Sequence, residues 1–174
     1  MVFSLWFLVY SLFVDIISHG LWGGVAFGRA NPKRYWTAFA FGVAPDALSF
    51  GLLFVQNMLG VGVRPNFSGG PPDPSTIPTY IHALYNVTHS LVIAAVVIGV
   101  VCLARHSLSG GGVVWRKLPV VMLAWPLHIL VDIPTHGGDF FPTPFLWPLS
   151  SFLIDGIPWS HPWIWFPKNQ LDRW

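Results

Sequence analysis

Long apolar stretches, each interrupted by an acid or a histidine, set the pattern of this chain. Residues 3–27 run apolar from Phe3 to Phe27 around Asp15 and His19. Residues 36–59 run from Trp36 to Leu59 around Pro45 and Asp46. Residues 83–104 contain LVIAAVVIGVVCLA, the most uniformly apolar run, and residues 118–136 read LPVVMLAWPLHILVDIPTH. A helix of about 20 mostly apolar residues crosses the ~30 Å hydrocarbon core of a bilayer. Each stretch has that length, so the pattern predicts four transmembrane helices packed as a bundle.

The connections differ in kind. Residues 60–82 are rich in Gly and Pro, which predicts a long exposed loop or lid. Residues 105–117 hold RHSLSGGG, which predicts a flexible turn. The tail, 137–174, is dominated by Pro, Trp and Phe. Proline at that density breaks helix, and Trp favours the membrane–water interface. The tail is therefore expected to be interfacial or re-entrant, with one short helix near Leu149–Ile154 and only a weak case for a fifth span. The whole, 1–174, is expected to be a single all-α membrane domain. No Lys or Arg precedes the first apolar run, and an Asp and a His lie inside it, so it is expected to be a retained span rather than a cleaved signal.

Composition strengthens the membrane reading. The chain is 53% hydrophobic and 9% charged, with mean hydropathy +0.59. A soluble domain is about 25% charged. A net charge of +2 without a basic tract gives no sign of a nucleic-acid partner. Loop charge gives an orientation. Arg29, Lys33 and Arg34 fall in 28–35, and Arg105, Arg116 and Lys117 in 105–117, whereas only Arg64 falls in 60–82. The positive-inside rule then places the first two loops in the cytoplasm.

The acids narrow the chemistry. All seven are Asp, at 15, 46, 73, 132, 139, 155 and 172. A mechanism that needs Glu, such as the helical HExxH metalloprotease, is excluded. The single cysteine, Cys102, lies in an apolar run, so neither an internal disulfide nor a cysteine-rich zinc site can form. It is expected to be a small buried apolar residue.

Ionisable groups inside a span are costly and persist where they pair, line a cavity or bind something. Every expected span or its start carries one. Asp15 and His19 are four residues apart and share a helix face, as co-ligands or with Asp15 orienting the ring through its other nitrogen. Asp46 follows Pro45, whose missing N–H disturbs the helix. His89 lies between Thr88 and Ser90, either of which can fix its tautomer. His128, Asp132 and His136 follow at spacings of four, with Pro134 ending or kinking the helix so that His136 enters from the following loop. His-x3-Asp on one helix face suits a divalent ion that takes both nitrogen and oxygen. The bland alternatives are buried Asp–His pairs that join helices, and an interfacial His89. His82 and His161 have weaker claims, and His106, beside Arg105, is expected to be solvated.

These motifs, in this order, resemble the YdjM-like family of membrane-bound, metal-dependent hydrolases. The matching elements are Asp-x-x-x-His followed by small residues (DIISHGLWGGVAFGRA), Pro-Asp (GVAPDAL), Thr-His-Ser (NVTHSL) and His-x-x-x-Asp with a later Trp-Pro (HILVDIPTHGG, then PFLWPLS). The likeness covers about residues 15–150. The stretch HALYNVTHS lacks an Arg common in that family, which leaves His82 without support. The resemblance implies a helical bundle with an intramembrane metal site and hydrolytic activity, in a bacterial-type cytoplasmic (inner) membrane or an archaeal cell membrane. A more distant likeness is to the zinc-dependent phospholipase C and single-strand nuclease superfamily.

On that reading, His19, Asp46, His89, His128 and Asp132 are the expected metal ligands. Asp15 and His136 are the expected catalytic groups. Asp15 would hold His19 or accept a proton, and His136 would protonate the leaving group or add a ligand. Zinc is the first expectation, as one ion or more, and manganese the second. An ion there lowers the pKa of bound water from about 15.7 toward about 7 in favourable zinc sites. The expected substrate is a phosphoester or other ester, lipid-like because of the bilayer. The alternatives are a metal-ion or proton transporter, a non-enzymatic metal-binding membrane protein, and a haem carrier, which uses two histidines across a macrocycle without a shell of aspartates.

Overall fold

The computed structural model of the chain describes residues 2–61, 74–108, 119–137 and 141–157. Six α-helices form among them and no strand: α1 Val2–Phe27, α2 Pro32–Leu48, α3 Phe50–Met58, α4 Thr79–Thr88, α5 Leu91–Leu108 and α6 Ala124–Thr135. The all-α expectation holds. Within that class, the first expected span forms one unbroken helix, and the other three break at defined residues.

The α1–α2 hairpin is tight for a local reason. Asn31 caps α2 by accepting the Arg34 N–H at 2.9 Å, and Pro32 follows in the first turn, where its fixed φ suits a helix start. Small residues let the two helices approach. A Cβ on Gly42 would lie 2.5 Å from the His19 carbonyl oxygen, and one on Gly23 would lie 2.8 Å from the Ala38 carbonyl oxygen. Such close backbone approach is how helices pack where small residues line the seam. α6 packs against both α1 and α2.

Residues 36–59 form two helices rather than one. α2 and α3 meet at an angle of 66°. The bend was expected at Pro45 but lies at Ser49. Pro45 stays inside α2, where it removes a single donor. Ser49 leaves helical geometry (φ −98°, ψ −86°), and its Oγ donates to the Pro45 carbonyl at 2.8 Å. A serine bonded back to the preceding turn bends a helix in this way.

The expected span over 83–104 is likewise divided. Its first part belongs to α4, and α5 begins only at Leu91. His89 closes α4, donating its N–H to the Tyr85 carbonyl at 2.8 Å. The Ser90 hydroxyl then accepts the Ile93 N–H at 3.1 Å and caps α5. In the fourth segment, a 3-10 turn over Val120–Leu123 leads into α6, which holds Pro134 in its last turn and ends at Thr135.

The described part of the tail, 141–157, forms no helix, contrary to the expected turn of helix near Leu149–Ile154. Its backbone groups go to helix ends instead. Leu91 N–H donates to Phe145 O at 3.0 Å, Gly156 N–H to His136 O at 3.0 Å and Ile157 N–H to Pro134 O at 2.9 Å. The Ser90 hydroxyl also donates to the Trp147 carbonyl. Tail residues 145–157 thus strap the start of α5 to the end of α6.

Two apolar clusters support this frame. One joins Leu53, Ile77, Ile81, Tyr85 and Phe141, and the other joins Ile98, Cys102 and Met122. Cys102 is buried there as expected. Among the described residues, α5 is long and apolar enough by itself to cross a membrane, and the bent α2–α3 pair meets that standard together.

The Gly42 contact yields a test. Gly42→Ala is expected to force α1 from α2 and lower stability by about 1–3 kcal/mol, the usual cost of overpacking. Gly99→Ala, where nothing lies within 4 Å, is expected to leave stability unchanged or raise it slightly. Thermal unfolding in detergent compares the two.

Candidate metal centre

The seven residues expected to act together do converge. α1 supplies Asp15 and His19, and the last turn of α2 supplies Asp46. His89 comes from the α4–α5 break, and His128 and Asp132 from one face of α6. His136 follows α6 in extended conformation (φ −113°, ψ 127°), held by its N–H to Asp132 O at 2.9 Å. It enters from beyond the helix end, as expected.

Asp132 lies at the centre, with its side chain 1% exposed. Its Oδ1 is 3.0 Å from His19 Nε2 and 3.6 Å from His136 Nδ1. Its Oδ2 is 3.0 Å from His128 Nε2 and 3.5 Å from His89 Nε2. Despite these approaches, neither carboxylate oxygen accepts a hydrogen bond among the described residues. The rings approach the carboxylate at ion-pair distance without meeting strict hydrogen-bond geometry. A buried carboxylate without a partner is costly by several kcal/mol, and a cation between them removes the cost.

The ring tautomers sharpen this. His128 Nδ1–H donates to the Gly42 carbonyl at 2.7 Å. The Thr88 hydroxyl donates to the Leu84 carbonyl at 2.9 Å, so toward His89 it can only accept. His89 Nδ1 lies 3.0 Å from that hydroxyl oxygen and 3.2 Å from the Tyr85 carbonyl, and is therefore the donor. Both neutral rings then turn a bare Nε2 inward, and these two atoms lie 3.2 Å apart. Two facing lone pairs repel unless a proton or metal ion lies between them. Backbone carbonyls that fix the far nitrogen are the usual support for metal-ligating histidine.

The spacing fits a metal. Across a tetrahedral zinc with bonds of about 2.0–2.1 Å, neighbouring nitrogen ligands lie roughly 3.3 Å apart. For His89 Nε2, His128 Nε2, Asp46 Oδ1 and Asp132 Oδ2, the five close separations are 3.2, 3.3, 3.8, 3.5 and 3.0 Å. The donor atoms of His89, His128 and Asp132 lie within 4.8 Å of one another, as do those of His19, Asp46 and His128. Mixed imidazole and carboxylate donors suit zinc, with manganese as the harder alternative. With the two bare nitrogens only 3.2 Å apart inside a carboxylate shell, there is no slot for a macrocycle, which counts against haem.

Several expectations resolve more finely. Asp15 Oδ1 lies 3.3 Å from His19 Nε2, the same nitrogen that faces Asp132. Asp15 therefore does not orient the ring through its other nitrogen. His19 Nδ1 has no hydrogen bond among the described residues. Of the two hydroxyls considered for His89, Thr88 holds the ring, and Ser90 caps α5. His82 stays outside the cluster. Its Nε2 donates to the Pro74 carbonyl at 2.9 Å, and its ring stacks on Phe141. His106, expected to be solvated, is half-buried in the last turn of α5. His161 lies outside the described residues.

Two contributors had no sequence signal as site residues. The Gly42 carbonyl orients His128. Tyr85 stacks on His89 with ring centroids 3.9 Å apart and offers its carbonyl to the same ring. No family model, curated protein or solved structure matches this chain.

Metal binding is expected to stabilise the fold. Zinc at 100 times its dissociation constant adds about 2.7 kcal/mol. The thermal midpoint of chelator-treated protein should rise on adding zinc, and Asp132→Asn should abolish that rise. An equal rise in the variant would place the zinc elsewhere.

Proposed function

We propose that this protein is a membrane-embedded, metal-dependent hydrolase that cleaves a phosphoester or other ester of a lipid-like substrate. The observation that carries the reading is the buried Asp132 carboxylate, without a hydrogen bond yet ringed by four histidines. The order of the Asp-x-x-x-His, Pro-Asp, Thr-His-Ser and His-x-x-x-Asp elements, shared with the YdjM-like hydrolases, supports hydrolysis as the use of such a site.

His89, His128 and Asp132 would hold the ion, with Asp46 within reach of both rings. When bound, it supplies an activated water and polarises the scissile group. The chain does the rest. His89, His128 and Asp132 form a closed floor, whereas Asp15 and His136 are 22% and 24% exposed at the rim. Substrate arrives at that rim. His136 stands there to protonate the leaving group. A closed floor favours chemistry on a retained ion over ion transport, which needs a passage.

The bilayer reading rests on surface and length. α5 turns Val96, Val100 and Leu103 outward, and an exposed row of this kind is solvated by lipid more readily than by water. α1, at 26 residues, is about 39 Å long and exceeds the ~30 Å core. In the tail strap, Leu149 and Phe152 are exposed, which suits an interfacial segment. An apolar groove of about 500 Å³ is lined by Ile16, Ala47, Leu48, Phe50, Gly51 and Val55, and its apolar walls suit an acyl chain. We assign the protein to a multi-pass location in a bacterial-type cytoplasmic or archaeal cell membrane.

Hydrolysis of phosphoester and carboxylic-ester lipids in detergent is the direct assay. His136→Ala is expected to keep its metal and lose about 10²- to 10⁴-fold in turnover, the usual share of a general acid. Full activity in that variant would remove His136 from the proton path. Ion flux into liposomes without hydrolysis would favour a transporter.

A further inference from the structure

One carboxylate oxygen of Asp132 serves the group just described, and the other faces a separate set of donors. Oδ1 lies 3.0 Å from His19 Nε2, and His19 Nε2 lies 3.3 Å from Asp15 Oδ1. Both separations are close to the ~3.3 Å edge of a tetrahedral site. His19 Nε2 and Asp132 Oδ1 are buried and make no hydrogen bond among the described residues. His19 also lies within 4.8 Å of donor atoms of Asp46 and His128, but its Nε2 is nearest to Asp132 Oδ1 and Asp15 Oδ1.

We propose that the cluster holds a second divalent cation, on the α1 side, with His19, Asp15 and Asp132 Oδ1 as its ligands and Asp132 bridging the two ions. This rests on the metal reading above and deepens it. The remaining direction of the second site faces His136, whose Nδ1 is 3.6 Å from Asp132 Oδ1. Three protein ligands and an open position are the pattern of a site that works on a substrate.

Charge is consistent with two ions. Asp15, Asp46 and Asp132 carry three negative charges among neutral rings. One divalent ion leaves a net charge of −1, and two give +1. A positive centre attracts an anionic phosphoester, whereas the negative single-ion site repels it. The second ion therefore favours phosphoesters over neutral esters among the substrates of the proposed hydrolase. Asp15 acts here as a ligand, and proton transfer falls to His136.

The test is a titration of full-length, chelator-stripped protein in detergent with Mn(II) alone, followed by elemental analysis and electron paramagnetic resonance. Two ions per chain are expected, with the isolated-ion signal lost at the second equivalent through exchange coupling across Asp132. Asp15→Asn is expected to halve the stoichiometry and restore an uncoupled signal. One ion per chain in the wild type would overturn the second site and leave the first. Two uncoupled ions would overturn the bridge. No ion at all would overturn the metal reading and this inference with it.

Discussion

A single buried carboxylate sets the terms for this fold. Asp132 is buried, and its oxygens meet no strict hydrogen-bond geometry among the described residues, so each element around it answers to its charge. α1 brings His19 to one oxygen, and α6 and the α4–α5 break bring His128 and His89 to the other. Two of those rings are in turn locked by backbone carbonyls, of Gly42 for His128 and Tyr85 for His89. The orientation of these rings is thereby built into the main chain, which rigid packing holds more accurately than flexible side chains do.

Helix interruptions do the positioning. Asp46 lies three residues before the α2–α3 bend at Ser49, His89 lies at the α4–α5 break, and His136 lies just past the end of α6. Irregular backbone is tolerated where its freed polar groups find partners. Here the freed groups are taken up by Ser49, Ser90 and the strap over 145–157. The strap explains how a tail rich in proline contributes to the fold without helix. Its own donors pair with the helix ends that border the site.

The all-helical class and the convergence of the Asp and His residues were legible in the sequence. The i, i+4 pairs Asp15–His19 and His128–Asp132 declare one helix face each, and the Pro-Asp and Thr-His-Ser elements name the rest. Less legible was where helices break. Periodicity carries apolar residues smoothly across Ser49 and across His89–Ser90, because both sides of each break are apolar. Proline at 45 drew attention to the wrong residue, since one missing donor is tolerated and a serine back-bond is not visible as a pattern. Gly42 reads as a small residue at a helix seam, which it is. Its second role, as the acceptor that sets the His128 tautomer, belongs to a backbone atom and has no sequence signature. Tyr85 likewise reads as core, and it is, while its stacking on His89 depends on a contact that only the fold makes.

The central claim is that the space around Asp132 is a metal site and not a knot of proton-sharing pairs. Anomalous diffraction at the zinc edge, on crystals grown with zinc, tests it most directly. The expected result is an anomalous peak within bonding distance of Asp132 Oδ2 and of the Nε2 atoms of His89 and His128. Crystals without a peak there, with Asp132 hydrogen-bonded to protonated histidines instead, would contradict it.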